Sequence, residues 1–221
     1  MTDPAYLAAL LEAWLPARRW YATKNLAPRI ESVVVAPAHG SRARRLADAG
    51  TEILEVFVTD RPARDRIVYQ VPLVRRRERP DVPESAVLGR EREGGWLIDA
   101  PWDSEYMIWL AGADEGGIDI TETRVVTGEQ SNTSVICEVT EGPFDIIIKI
   151  FRVLAEGSNP DAELQQALTR AGVRRVPRFV DAGWGSWTRG HSSEYGHLSV
   201  TSEYIDDADD AWGLATTAAA E

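Results

Sequence analysis

The chain has 221 residues, enough for one domain or two small ones, and its 44% hydrophobic and 27% charged content fits a soluble globular protein. A net charge of −11 excludes a general nucleic-acid or membrane-binding surface. The single cysteine, Cys137, excludes an internal disulfide and a Cys-based zinc cluster, and it reads as a buried bystander rather than a nucleophile. No apolar run reaches about 18 residues and the first ten residues lack a signal pattern, so a cytoplasmic protein is expected.

In chain order, Asp3 and Pro4 are a cap and first residue for a helix over 4–15, with Leu7, Leu10, Leu11 and Trp14 as its apolar stripe. In the following Ala17–Ala22 segment, Trp20 is read as packing on that helix under the arginine pair Arg18-Arg19. Ile30–Ala36 is strand-like, and 38–50 is an arginine-rich loop or short helix. Thr51–Thr59 and Arg66–Val74 alternate as two strands of an antiparallel sheet. Arg75–Pro80 is a solvated charge run, and 81–93 is polar and broken by Pro80 and Pro83. Trp96–Ala100 and Tyr106–Leu110 are apolar and suit a helix.

Gly112–Gly117 is the best linker, so a boundary is expected there, with units at 1–111 and 112–205. Charge supports two units: residues 1–100 hold 16 basic and 14 acidic side chains, and residues 101–221 hold 8 and 21. Residues 185–196 read as an exposed Gly/Ser-rich loop, and His197–Ser202 as a strand. The acidic run Asp206, Asp207, Asp209 and Asp210 reads as an acidic helix start and not as a metal site.

The most informative stretch is 128–172. Of the 24 basic residues only Lys24 and Lys149 are lysines. Lys149 interrupts the β-branched run Ile146–Phe151, a short buried strand whose period of two puts Ile146, Ile148 and Ile150 on one face and Ile147, Lys149 and Phe151 on the other. A lysine in such a run needs an anion. Asn159-Pro160 starts a helix with Asp161 and Glu163 in its first turn, Leu164 and Leu168 facing the sheet, Glu163 presented to Lys149, and Gly172 as stop. Before the strand, Gly128–Ser134 is a hydroxyl-rich hairpin tip able to offer donors to phosphate oxygens, although it is neither a Walker A nor a G-x-G-x-x-G loop.

Loop, strand lysine and helix carboxylate follow the order in which protein kinases cover, pair with and brace nucleotide phosphates. GEQSNTSV at 128–135, IIIKIFR at 146–152 and NPDAEL at 159–164 resemble the maltokinase family, bacterial sugar kinases with a eukaryotic-kinase-like fold related to aminoglycoside phosphotransferases. Ala17–Ala22, Glu203–Ile205 and Ala211-Trp212 extend the resemblance along the chain. It implies an α+β protein: an antiparallel-sheet cap subdomain over 1–111, a kinase-like N-lobe over 112–205, and the start of a C-lobe at 206–221.

The resemblance further implies ATP and Mg²⁺ as cofactors. Gln130, Ser131, Asn132, Thr133 and Ser134 are then expected to cover the phosphates, Lys149 to pair with them, Glu163 to hold Lys149, and the backbone of Glu203, Tyr204 and Ile205 to read the adenine edge. Family members carry a catalytic H-G-D-x-H segment in the lower lobe. None of His39, His191 and His197 is followed by Gly-Asp, so the catalytic and metal-binding aspartates are expected beyond residue 221, and this chain alone is expected to be inactive. The implied reaction converts maltose and ATP to maltose 1-phosphate and ADP, in glycogen biosynthesis, with a trehalose/maltose-pathway enzyme as a further partner. The alternatives are glucosamine or another sugar, or a non-catalytic nucleotide- or protein-binding module.

Overall fold

A computed structural model describes residues 3–92, 94–112, 116–127, 131–206, 216, 218 and 219. The first helix, α1 (Pro4–Trp14), starts as its sequence dictates: the Asp3 carboxylate accepts from the Ala5 amide and Pro4 takes the first turn. Leu7, Leu11 and Trp14 are its buried face. Trp20 meets Trp14 edge to face at 5.8 Å, and Arg18 lies over Trp14 at 4.5 Å.

The first sheet contains β1 (Ile30–Pro37), β2 (Thr51–Asp60), β3 (Ile67–Gln70), β4 (Leu73–Arg76), β5 (Val87–Arg90) and β6 (Trp96–Asp99). Its order is β1-β2-β4-β6-β5, with β3 also paired to β2, and every pair is antiparallel. Helix α2 (Ser41–Asp48) joins β1 to β2. The inner strands are buried on both faces, and residue parity decides which neighbour each side chain meets. Leu54, Leu73, Leu88 and Leu97 pack with α1, Trp20 and Tyr21. Ile53, Val74, Ile98 and Val87, aligned across four strands, face the opposite way.

Three expectations change. Arg66–Val74 is two strands, because Pro72 has no amide to donate and instead accepts from Ala100 through its carbonyl. Trp96–Asp99 is a strand and not a helix; four apolar residues are too few for period to separate the two. The supposedly irregular 81–93 contains β5, whose Val87 and Leu88 are buried on opposite faces.

Helix α3 (Ser104–Leu110) follows a short 3₁₀ turn and is capped by Asp103, which accepts from the Glu105 amide. The second sheet is also antiparallel. It contains β7 (Ile120–Val126), β8 (Asn132–Val139), β9 (Ile146–Phe151), β10 (Phe179–Arg189) and β11 (Ser192–Glu203), in the order β10-β11-β9-β8-β7. Helix α4 (Pro160–Arg170) lies between β9 and β10. The expected loop at 185–196 is instead a long hairpin, turning at Gly190-His191 with Gly190 at φ +63°. Its end is fixed by Arg189, which donates to the Glu194 carboxylate and to the carbonyls of Arg66 and Leu154.

The two sheets share a core. The Ile53–Val74–Ile98–Val87 face and α3 pack with Ile120, Val135, Cys137, Ile146, Ile148 and Ile150. At the rim of this core Arg152, wholly buried, donates to Asp99 Oδ2 at 2.6 Å and to Thr133 Oγ1 at 2.8 Å, and lies over the Trp20 ring at 4.7 Å. Backbone pairing reinforces the junction: Gln70 donates to the Arg152 carbonyl and Leu154 to the Val68 carbonyl. Asp99→Ala leaves a buried guanidinium without its counter-ion and is expected to lower the unfolding free energy by about 3–5 kcal/mol. Glu31→Ala, which releases Arg66 on the surface, serves as the control and is expected to have a much smaller effect. Denaturant unfolding of both variants checks this; equal effects would remove the clamp.

Candidate functional site

The site is built on β9. Ile146, Ile148 and Ile150 point into the core shared by the sheets, so Ile147, Lys149 and Phe151 take the other face. Lys149 is opposite Ser134 on β8 and Val200 on β11. Its side chain is 27% exposed, so the stem is covered while the ammonium reaches the surface. The Ser134 hydroxyl, on the same face, is buried and has no protein partner among the described residues.

Helix α4 supplies the anion. Asn159 is its N-cap: the side-chain carbonyl accepts from the Asp161 amide at 2.9 Å, and the main-chain carbonyl accepts from Glu163 at 3.0 Å. Lys149 Nζ then donates to Asp161 Oδ2 at 2.9 Å. The expected partner, Glu163, is exposed two residues further on and makes no hydrogen bond to Lys149. The cause is the rotation of the helix. Ala162 is its buried residue, which puts Asp161 and Glu163 on opposite flanks and leaves only one of them beside β9. The same rotation leaves Leu164 61% exposed instead of facing the sheet.

Gln130 lies outside the described residues, as do Gly128 and Glu129. Ser131 is exposed, and its Oγ accepts from the Asn132 side-chain amide at 3.3 Å. Asn132, Thr133 and Ser134 belong to β8 and not to the hairpin tip. Thr133 faces the core side, opposite Ile150, and its hydroxyl is engaged by Arg152. It is therefore a support residue in the fold and not an open hydroxyl. Of the loop's hydroxyls, Ser134 is the one on the Lys149 face.

Glu203 ends β11, followed by Tyr204 and Ile205. The Glu203 amide donates to Arg178 O and the Tyr204 amide to Asp145 O, both at 2.8 Å. Two of the three backbone donors expected at this segment are thus used within the fold. Ile205 has no backbone partner among the described residues, and its side chain is exposed. Asp207, Asp209, Asp210, Ala211 and Trp212 lie outside the described residues. Among the described residues, no three His, Cys, Asp or Glu side chains gather as a metal site. No helix there is long and apolar enough to cross a membrane.

Four contributors escaped the sequence reading: Asp161, His197, Arg152 and Asp99. Asp161 was visible only as a first-turn acid, and its spacing from Glu163 could have flagged that one helix cannot aim both at one strand. Buried His197 accepts from the Asn159 amide through Nδ1 at 2.8 Å and lies against Trp184 with ring centres 3.7 Å apart. Burial lowers its pKa from the ordinary imidazole range, and the Glu163 charge partly opposes this.

Residues 14–103 match the family model of the maltokinase N-terminal cap domain. The matched segment runs from the end of α1 through all of the first sheet.

Cys137 lies on β8 within the shared core, and burial pushes its thiol up to about 12. It is expected to resist alkylation at pH 8 in the native protein and to react at once in denaturant. Mass spectrometry after iodoacetamide treatment reads this; rapid native labelling would contradict the packed core.

Proposed function

From the maltokinase-family cap formed by residues 14–103, we propose that this chain is the N-terminal portion of an ATP-dependent sugar kinase, with maltose as acceptor and maltose 1-phosphate as product. In this reading 1–111 is the cap, 112–205 a kinase-like N-lobe and 206–221 the start of a C-lobe. The observation that carries it is the Lys149–Asp161 pair: a strand lysine held at 2.9 Å by a helix carboxylate, with its ammonium partly open to ligand. Kinases use a strand lysine paired with a helix acid to hold nucleotide phosphates. The cap match adds a family setting of carbohydrate-directed transferases.

The residues present suit the phosphate end of such a nucleotide. Asp161 pairs with Lys149 and fixes where its ammonium points. Ser134, a buried hydroxyl on the same face without a partner among the described residues, has hydrogen-bonding capacity to offer there. Ser131 and Asn132 at the end of the hairpin, with Gln130, complete the cover in this proposal. Glu203–Ile205 would meet the base, with Ile205 contributing the amide that has no backbone partner among the described residues. ATP supplies the γ-phosphoryl group for the sugar hydroxyl. Acceptor binding, the catalytic base and the Mg²⁺ ligands belong to lower-lobe residues in this scheme.

Phosphoryl transfer by the full-length protein from ATP to a panel including maltose, glucose and glucosamine, followed by product mass, tests the reading. Lys149→Ala is expected to lower kcat/KM by about 100-fold or more, the size of a lost electrostatic contact to the transferring group. Asp161→Asn is expected to lower it by about tenfold, with Glu163→Gln near wild type. Full activity in the Lys149 variant would overturn the assignment. A stronger effect at Glu163 than at Asp161 would overturn the pairing.

A further inference from the structure

Four residues form an unbroken hydrogen-bonded relay. The Asn159 amide donates to His197 Nδ1 at 2.8 Å, the Asp161 amide donates to Asn159 Oδ1 at 2.9 Å, and Lys149 Nζ donates to Asp161 Oδ2 at 2.9 Å. His197 is thus the far end of a chain whose near end is the lysine of the proposed site. It is also the end with the firmest support. His197 sits mid-strand in β11, with its own amide donating to Gly157 O, and its ring lies against Trp184, which itself stacks on Tyr195 at 5.2 Å.

The relay has a direction fixed by chemistry. A main-chain amide only donates, so Nδ1 must carry its lone pair and the ring must be neutral, with its proton on Nε2. A protonated imidazole has donors at both nitrogens and faces the Asn159 amide with no acceptor. That amide lies at the start of α4, where each lost acceptor leaves one more unsatisfied donor beside the helix N-terminus. The positive end of the helix dipole also opposes a second positive charge at this place.

We propose that His197 is a positioning residue for Lys149: as the neutral imidazole it fixes Asn159, hence the first turn of α4, hence Asp161 against the ammonium, and its protonation releases that turn. The phosphate-binding consequence rests on the kinase reading above. The groups facing the ring permit this titration. Glu163 on α4 is the charge whose field reaches it and favours the cation; Trp184 from β10 meets it through an uncharged indole, with Tyr195 stacked beyond, and Gly157 meets it through backbone alone. Because the folded pKa is lowered, the unfolded state takes up the proton first as pH falls. The His197 contribution to stability is therefore complete above about pH 6.5 and is lost as pH drops from there through the folded value.

Hydrogen exchange of residues 159–163, corrected for intrinsic rates and followed from pH 8 to pH 5 without nucleotide, tests the relay. In the wild-type protein protection is expected to fall by about fivefold to tenfold as His197 titrates, the effect of one lost cap interaction. His197→Asn keeps an acceptor near Nδ1 that does not titrate, so its protection should stay high at all pH values; in His197→Ala it should be low throughout. A His197→Asn protein that titrates like the wild type, or a His197→Ala protein with full protection, overturns the relay. The wild-type pH scan decides the matter even if the alanine variant fails to fold. Mg·ATP affinity of the full-length protein at pH 7.5 is the second arm: His197→Ala should bind about fivefold to tenfold more weakly, with His197→Asn restored. Unchanged affinity alongside lost protection overturns the positioning of Lys149. Absence of ATP binding in the wild type overturns the kinase reading, while exchange still decides the relay by itself.

Discussion

Arg152 is the constraint on which the rest of this structure depends. A guanidinium removed from water is tolerated only with acceptors in place, and its acceptors come from separate parts of the chain: Asp99 from the end of the first sheet and Thr133 from the second. Trp20, from the segment after α1, covers its π face. These groups meet the cation together, through Nε and one terminal nitrogen, in one mutual placement of the two sheets. The apolar faces between them supply most of the attraction, but apolar contact is non-directional. The ion pair adds direction.

Lys149 and Arg152 show how strand parity divides labour within three residues. Arg152 continues the parity of Ile148 and Ile150, which face the shared core, while Lys149 has the opposite parity and its own carboxylate. The residue types suit the division. Arginine's planar fork can meet several fixed acceptors in a dry interior, whereas lysine's single charge on a flexible stem suits a partly open surface. One short strand thus carries a cation that holds the fold together and another that is available to a ligand.

Much of this was legible in the sequence because local chemistry specified it. Asp3-Pro4 and Asn159-Pro160 start helices as their side chains require, and the alternation of Ile146–Phe151 placed Lys149 on the correct face. The missing parts depend on contacts across long sequence distances. Arg152 meets Asp99 from 53 positions away, and Asn159 meets His197 from 38, with no local pattern to announce either pairing. The choice of Asp161 over Glu163 was set by α4's rotation, which Ala162 determines by packing against Phe151, Leu198 and Val200. Periodicity favoured the larger Leu164, but the smaller residue lets the helix approach. The 185–196 hairpin was hidden because its glycines imitate a loop, although Gly185 and Gly196 face each other in register.

Strand β3 pairs with β2 along one side, and Tyr69 bridges antiparallel to Val153 on the other. The chain that leaves β9 therefore closes the margin of the first sheet that β3 would otherwise leave free. Such margins are templates for adventitious pairing between molecules. A first sheet severed from the second would bare both this margin and the Ile53–Val74–Ile98–Val87 ladder. Solubility of the N-terminal half is thus a property lent to it by residues that come after it in the chain.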